Sequence, residues 1–406
     1  MGGADVRTEV SFLDQSVRES MVGSGPWVAI AGVIACMSVF VLTLGLTYPL
    51  LALILARAGH SEVTIGVSAA MTPLGLIVSA PLWPALAHRI GAWNAAIGSV
   101  AGTILFFVAL GMFQSVEVWY PLRFGLGMFV GGVFIISETW INQLATERTR
   151  GRIVGIYTTV LSLGFALGPV TLTLTGIEGW PPFLVGALAL AMAGIILVRL
   201  RRAMPVSGEE ARASMLDFLP LAPALLVAVG VFGYFDQAAL SLLPVYSLSH
   251  GMSQNLATIA LAVLVGGNVF LQMPIGWLAD HMPRRLLMCL CAASAAACGA
   301  TLPFVIGHPL LLWPLLFVWG GVAFGTYTAA MAELGQRFSG SLLLAGNAAF
   351  ALMWGVGGII GPPVSGGAME LWGPEGLPVT LALVYAGLAV FAVVRGGDNL
   401  LLRPPR

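Results

Sequence analysis

The chain contains no lysine; all 18 of its basic residues are arginine. Charge of either sign is scarce. Only 9% of its 406 residues are charged, where a soluble protein carries about a quarter, and that shortage excludes a water-soluble globule. The formal net charge is zero, which removes the electrostatic footprint of a nucleic-acid binder. Cysteine is equally sparse. The four present, Cys36, Cys289, Cys291 and Cys298, all fall in apolar runs and read as small core residues, not a disulfide framework. There is no paired His/Cys spacing for a metal, no P-loop and no nucleophile elbow. No cofactor is therefore expected, and an enzyme reading lacks a convergent catalytic set. No cleavable signal peptide is expected either, because the apolar run after the polar first 26 residues is too long for one.

What the chain has is apolar length: 58% of it is hydrophobic. Apolar segments recur at about 27–56, 63–86, 93–113, 116–144, 153–176 and 182–198. After a charged break at 199–217 six more follow, at 218–246, 256–279, 286–306, 310–334, 342–368 and 377–394. Each can cross about 30 Å of hydrocarbon as a helix. The reading is an all-α membrane protein of twelve spans, with a tail at 1–26, a six-helix bundle at 27–198, a linker at 199–217, a second bundle at 218–394 and a tail at 395–406. The first tail is expected to be mobile, with a short amphipathic stretch around 11–20.

The two halves are copies. The polar stretch GWLADHMPRR at 276–285 sits between apolar runs and reads as a tight surface turn, and PALAHRIGAW at 84–93 is its fainter counterpart. Their offset is 276 − 84 = 192. Gly168-Pro169 and Gly361-Pro362 repeat it at 361 − 168 = 193. Arginine placement orients the chain. With the N-terminus inside, sixteen arginines lie in inner loops and tails, Arg57 alone lies outside, and Arg123 falls within the fourth span. That asymmetry predicts cytoplasmic termini and a cell inner membrane location.

A charge in mid-span costs about 2.5–3.5 kcal/mol on insertion scales, so each one needs a reason. Asp236, in FGYFDQAAL, suits a carboxylate that loads and unloads a proton. Glu138 and Arg123 share a helix face about 22 Å apart, too far to pair directly. Thr47 and Tyr48 precede Pro49, whose ring leaves a carbonyl without its helical donor. With Gln237, Asn268, Gln272 and Tyr327 they are candidate lining of a substrate cavity, the alternative being helix-to-helix glue. Gly164-x-x-x-Gly168-Pro169 and Gly357-x-x-x-Gly361-Pro362 allow close helix approach and read equally as packing seams or as hinges.

These residues resemble the major facilitator superfamily. Gly276, Leu278, Ala279, Asp280, Arg284 and Arg285 resemble its G-x-L-A-D-R-x-G-R-R signature, departing at His281 and Pro283. The first copy keeps Leu86, Ala87, Arg89 and Gly91 but has Pro84 for glycine and His88 for aspartate. Arg123-x-x-x-Gly127 resembles the fourth-span motif, and Glu147–Arg152 the loop after it. Gly164–Pro169 resembles the antiporter motif without its closing Gly-Gly. Gly266-Gly267 with Gln272, Pro274 and Gly276 is similar to a bacterial subgroup of unassigned substrates. The resemblance implies two pseudo-symmetric six-helix bundles and a secondary transporter working by alternating access. It implies an inward-facing structural or proton-relay role for Arg123, and an inner gate of Asp280, Arg284 and Arg285, with His88 and Arg89 as its weaker first-half partner. Proton-coupled export of a small organic solute by a monomer in the bilayer is the leading expectation. Uptake of a metabolite by symport and lipid flipping on the same fold are the alternatives.

Overall fold

The computed structural model describes residues 5–144, 150–201 and 218–395. The first half contains α1 (Asp5–Arg57), α2 (Glu62–Ser79), α3 (Leu82–Ile90), α4 (Ala92–Met112), α5 (Val116–Leu144), α6 (Arg150–Thr175) and α7 (Pro181–Arg199). The second contains α8 (Pro223–Ser249), α9 (Gln254–His281), α10 (Arg284–Val305), α11 (Pro309–Arg337), α12 (Gly340–Trp372) and α13 (Gly376–Arg395). Every helix but the short α3 is long and apolar enough to span a membrane, which gives twelve. No strand occurs among the described residues. The linker from 202 to 217, the loop at 145–149 and the residues beyond 395 lie outside the described residues.

Three local expectations are corrected. The stretch before the first span is one helix and not a short amphipathic piece, because α1 begins at Asp5 and runs unbroken into that span. No proline interrupts residues 5–25, and extending a helix already nucleated by the span costs little. The ten-residue turn at 276–285 is a two-residue break. Helix α9 continues to His281, and Met282 turns extended before Pro283 at φ −135° and ψ 163°, as a residue before proline prefers. In the first half, α2 stops at Ser79, α3 follows Pro81, and Gly91 ends α3 at φ 87°, a conformation that favours glycine.

The two halves pack by one rule. Helix α1 lies on α6 and α7, α2 on α5, and α4 on α5 and α7; α8 lies on α12 and α13, α9 on α11, and α10 on α11 and α13. Glycines make the seams. An added methyl at Gly75 would meet the Phe124 carbonyl, and one at Gly127 the Thr72 carbonyl. In the second half Gly267 lies against Phe317 and Gly320 against Leu264. The offsets are 267 − 75 = 192 and 320 − 127 = 193, the spacing of the sequence repeat. Gly164 on the Ser38 carbonyl is matched by Gly357 on the Gly230 carbonyl. Gly168 packs on Gly45 and Leu46, and Gly361 on Tyr234. Backbones this close bring short polar side chains on facing helices within reach of one another. Across the halves, α2 packs on α12, α6 on α9, and α1 on α8.

Candidate functional site

Asp236 lies halfway along α8. Gly233, one turn earlier, lets α8 sit against the Trp354 backbone of α12. The Trp354 indole then reaches back and donates Nε1–H to Asp236 Oδ2 at 3.1 Å, while Gln237 Nε2 donates to the same oxygen at 3.3 Å. Tyr48, on α1, lies within interaction range of both Gln237 and Asp236. The acid of the second half thus faces a tyrosine of the first. Trp354 was not foreseen from sequence, although a glycine one turn before a mid-span acid signals a close neighbouring helix.

Arg123 is fully buried on α5. The α2–α5 glycine seam sets it beside Ser68, and Nη1 donates to Ser68 Oγ at 3.2 Å. The guanidinium carbon stands 5.8 Å from the centre of the Tyr48 ring. Arg123 Nε and Nη2, Thr72 Oγ1, Gln237 Oε1 and Ser241 Oγ are buried without hydrogen-bond partners. Tyr48 thus lies within range of two polar groups, Arg123 and the Asp236–Gln237 pair. Ser68 is a further residue that sequence reasoning missed; a hydroxyl in an apolar span carries no signal until its neighbour is known.

Glu138 lies fifteen residues further along α5, is reached by solvent, and is within electrostatic range of Tyr157 on α6 and Tyr327 on α11. The structure therefore does not bring it to Asp236. Tyr327 packs on Phe232 with ring centres 5.0 Å apart. Asn268 Nδ2 donates to Ser162 Oγ across the halves at 3.5 Å, and Asn268 Oδ1 has no partner. Gln272 accepts from the Thr328 hydroxyl, so it links α9 to α11. Thr47 donates to the Thr43 carbonyl of its own helix at 2.6 Å, which spends its hydroxyl locally. Glu333 faces Arg337 at 3.8 Å near the end of α11.

The ends of the bundle differ. At the end carrying the α1–α2 connection, Gly66 abuts the Pro362 carbonyl and Gly366 the Glu62 carbonyl. There the Val63 N–H donates to Glu370 Oε1 at 3.1 Å, from the first turn of α2 to α12. Nearby, His250 bridges Glu375 Oε1 at 2.8 Å and the Tyr246 carbonyl at 2.9 Å. At the opposite end Asp280 is exposed at the close of α9, and no ion pair holds it among the described residues. Arg284 bonds the Ala279 carbonyl and Gln336, closing α9 onto α11. Arg285 is half-buried, and His88 and Arg89 are exposed. Pro169 and Pro362 are buried in their seams. No three His, Cys, Asp or Glu residues among those described could hold a metal.

A twelve-span helical bundle with repeated halves and polar residues buried between them defines a polytopic membrane carrier. The family model of the Major Facilitator Superfamily matches residues 28–343; the chain belongs to that superfamily and is a secondary transporter, not an enzyme. It is 25% identical over 359 residues to the Bacillus subtilis protein named uncharacterized MFS-type transporter YfkF, covering 85% of this chain and 91% of the relative. It is 27% identical over 280 residues to YcaD of Escherichia fergusonii, covering 68% and 72%. Among solved structures, the nucleoside transporter NupG superposes with a TM-score of 0.72 at 13% identity, over 92% of this chain and all of that one. A bacterial homologue of the human lysosomal transporter Spinster, inward-facing and unoccupied, gives 0.69 at 13% identity, over 93% and 95%. At such identities these neighbours establish the fold alone.

Proposed function

We propose that the chain is a proton-coupled carrier of a small organic solute, acting as a monomer in the cell inner membrane by alternating access. The observation that carries this is Asp236. It is a mid-span carboxylate held by Trp354 of α12 and facing Tyr48 of α1, on the line where the two groups of helices meet. Adding or removing a proton there changes the charge at that contact, which is what coupling a proton to a rocking motion requires. Glu138 and Arg123 are the accessory proton-coupling groups. Residues 27–198 and 218–394 act as the two rocking bundles, and Gly164, Gly168, Pro169, Gly357, Gly361 and Pro362 are the hinges. Tyr48, Gln237, Asn268, Gln272, Tyr327 and Thr47 line the solute path.

With the termini cytoplasmic, as arginine placement favours, the end sealed by the Gly66–Pro362, Gly366–Glu62 and Val63–Glu370 contacts faces outward and the Asp280 end opens inward. Asp280, Arg284, Arg285, His88 and Arg89 then form the inner gate. The antiporter-like Gly164–Pro169 segment favours export. Uptake by symport is the second reading, supported by the unpaired edge of Arg123. The test is a proteoliposome carrying the full chain, with internal pH followed as candidate solutes are added. Solute-driven proton movement that Asp236→Asn abolishes is the expected result. Solute flux that ignores the proton gradient would contradict the reading.

A further inference from the structure

We propose that Arg123 is the base of an anion site that takes the carboxylate of a monoanionic solute. The inference rests on the carrier reading above in its second, symport form, and names the substrate class for it. A guanidinium has one edge, formed by Nε–H and the neighbouring Nη2–H, that matches the two oxygens of a carboxylate. In Arg123 the donors of that edge, Nε and Nη2, are buried without partners, while Nη1 is taken by Ser68. Ser68 thus holds the group through Nη1 and leaves the carboxylate-binding edge without a partner. The residues around it strengthen the match. Thr72 Oγ1 is also unpartnered, and the hydroxyls of Ser68, Thr72 and Tyr48 can all turn to donate.

A fully enclosed cation in an apolar span calls for a counter-charge. Among the described residues, no carboxylate, Asp236 included, forms an ion pair with Arg123. Arginine is suited to such a task because its fork is planar and permanently charged. Asp236, which like Arg123 lies within range of Tyr48, weighs against a polyanion and favours a single negative charge. Helix position explains access. Ser68 and Arg123 are six and seven residues from the first residues of α2 and α5, near the sealed end, so the solute reaches them when that end opens. An anion at Arg123 favours a proton on Asp236, because both groups lie within range of Tyr48. The two loads then travel together, which is the symport mode.

The test compares benzoate, benzamide and benzylammonium on the purified full chain, by shift of the thermal unfolding midpoint at constant ionic strength. Acetate and chloride are run alongside as the smallest anions. Benzoate should stabilise the wild type and the two isosteres should not. Arg123→Lys, which keeps the charge but loses the fork, should weaken benzoate by roughly tenfold or more, and Arg123→Gln should abolish the effect. If neither variant folds, proton uptake on adding benzoate to unbuffered wild-type protein, absent with benzamide, gives an independent reading. Three results would overturn the site: equal stabilisation by benzamide, an undiminished benzoate effect in Arg123→Lys, or no stabilisation by any anion up to about 100 mM, a hundredfold above a weak millimolar Kd. Proton flux driven by uncharged solutes and lost in Asp236→Asn would remove the anion site and leave the carrier reading intact. Benzoate binding with no proton movement for any solute would keep the site and remove the coupling.

Discussion

Trp354 donates its indole N–H to Oδ2 of Asp236 at 3.1 Å, joining α12 to α8 at mid-span. The bond exists because Gly233 admits the Trp354 backbone. Trp354→Phe keeps the ring and removes the donor, leaving Gln237 as the remaining donor to that oxygen. Hydrogen bonds to charged groups contribute about 1.5–3 kcal/mol, so coupled turnover should fall about tenfold or more with insertion unchanged. Initial rates in proteoliposomes check this. An unchanged rate would reduce the indole to a packing ring.

The carboxylate of Glu370 accepts from Val63 in the first turn of α2, a place where a helix dipole favours an anion by about 0.3–1 kcal/mol. Glu370→Ala should therefore open the sealed end about two- to fivefold more often. Labelling of a cysteine introduced as Val63→Cys reports it, since the native cysteines are buried. Labelling no faster than in the parent would show that the contact holds nothing shut.

Asp280 sits in the last turn of α9, where the dipole of its own helix disfavours an anion. No ion pair among the described residues offsets this, and on the inner-gate reading proposed above its favourable partner belongs to the other state. Asp280→Ala should shift the carrier towards the present state by about two- to fivefold, read as faster labelling of Thr139→Cys. His88→Asp should shift it the other way. If neither variant changes labelling, the loops carry no gate.

Gly266 and Gly267 are neighbours with opposite surroundings. A methyl at Gly267 would collide with the Phe317 carbonyl, whereas nothing lies within 4 Å of one at Gly266. Gly267→Ala should cost about 1–3 kcal/mol as overpacking and lower the thermal unfolding midpoint. Gly266→Ala should leave it unchanged or raise it. Equal effects would show that the seam is loose.

Span number and the 192-residue repeat were legible because apolar length and glycine spacing are written locally. The seams obey the repeat, and the chemistry does not: Asp236, Arg123 and Glu138 have Leu44, Leu316 and Met331 at the matching positions. The break at 276–285 is shorter than its polar residues suggest, because α9 carries most of them to its end. Asp236 and Arg123 could be chosen as single charges in apolar runs. Trp354 and Ser68 could not, since their roles arise only from the neighbours that the seams bring up. The bond from the Thr47 hydroxyl to the carbonyl one turn back is likewise invisible in the sequence.

The most direct test compares two assays of one variant, Asp236→Asn, with a solute that the wild type accumulates. Exchange of labelled for unlabelled solute needs only the rocking motion, while accumulation needs the proton. The account predicts that Asp236→Asn retains exchange and loses accumulation. Accumulation at the wild-type level would contradict it.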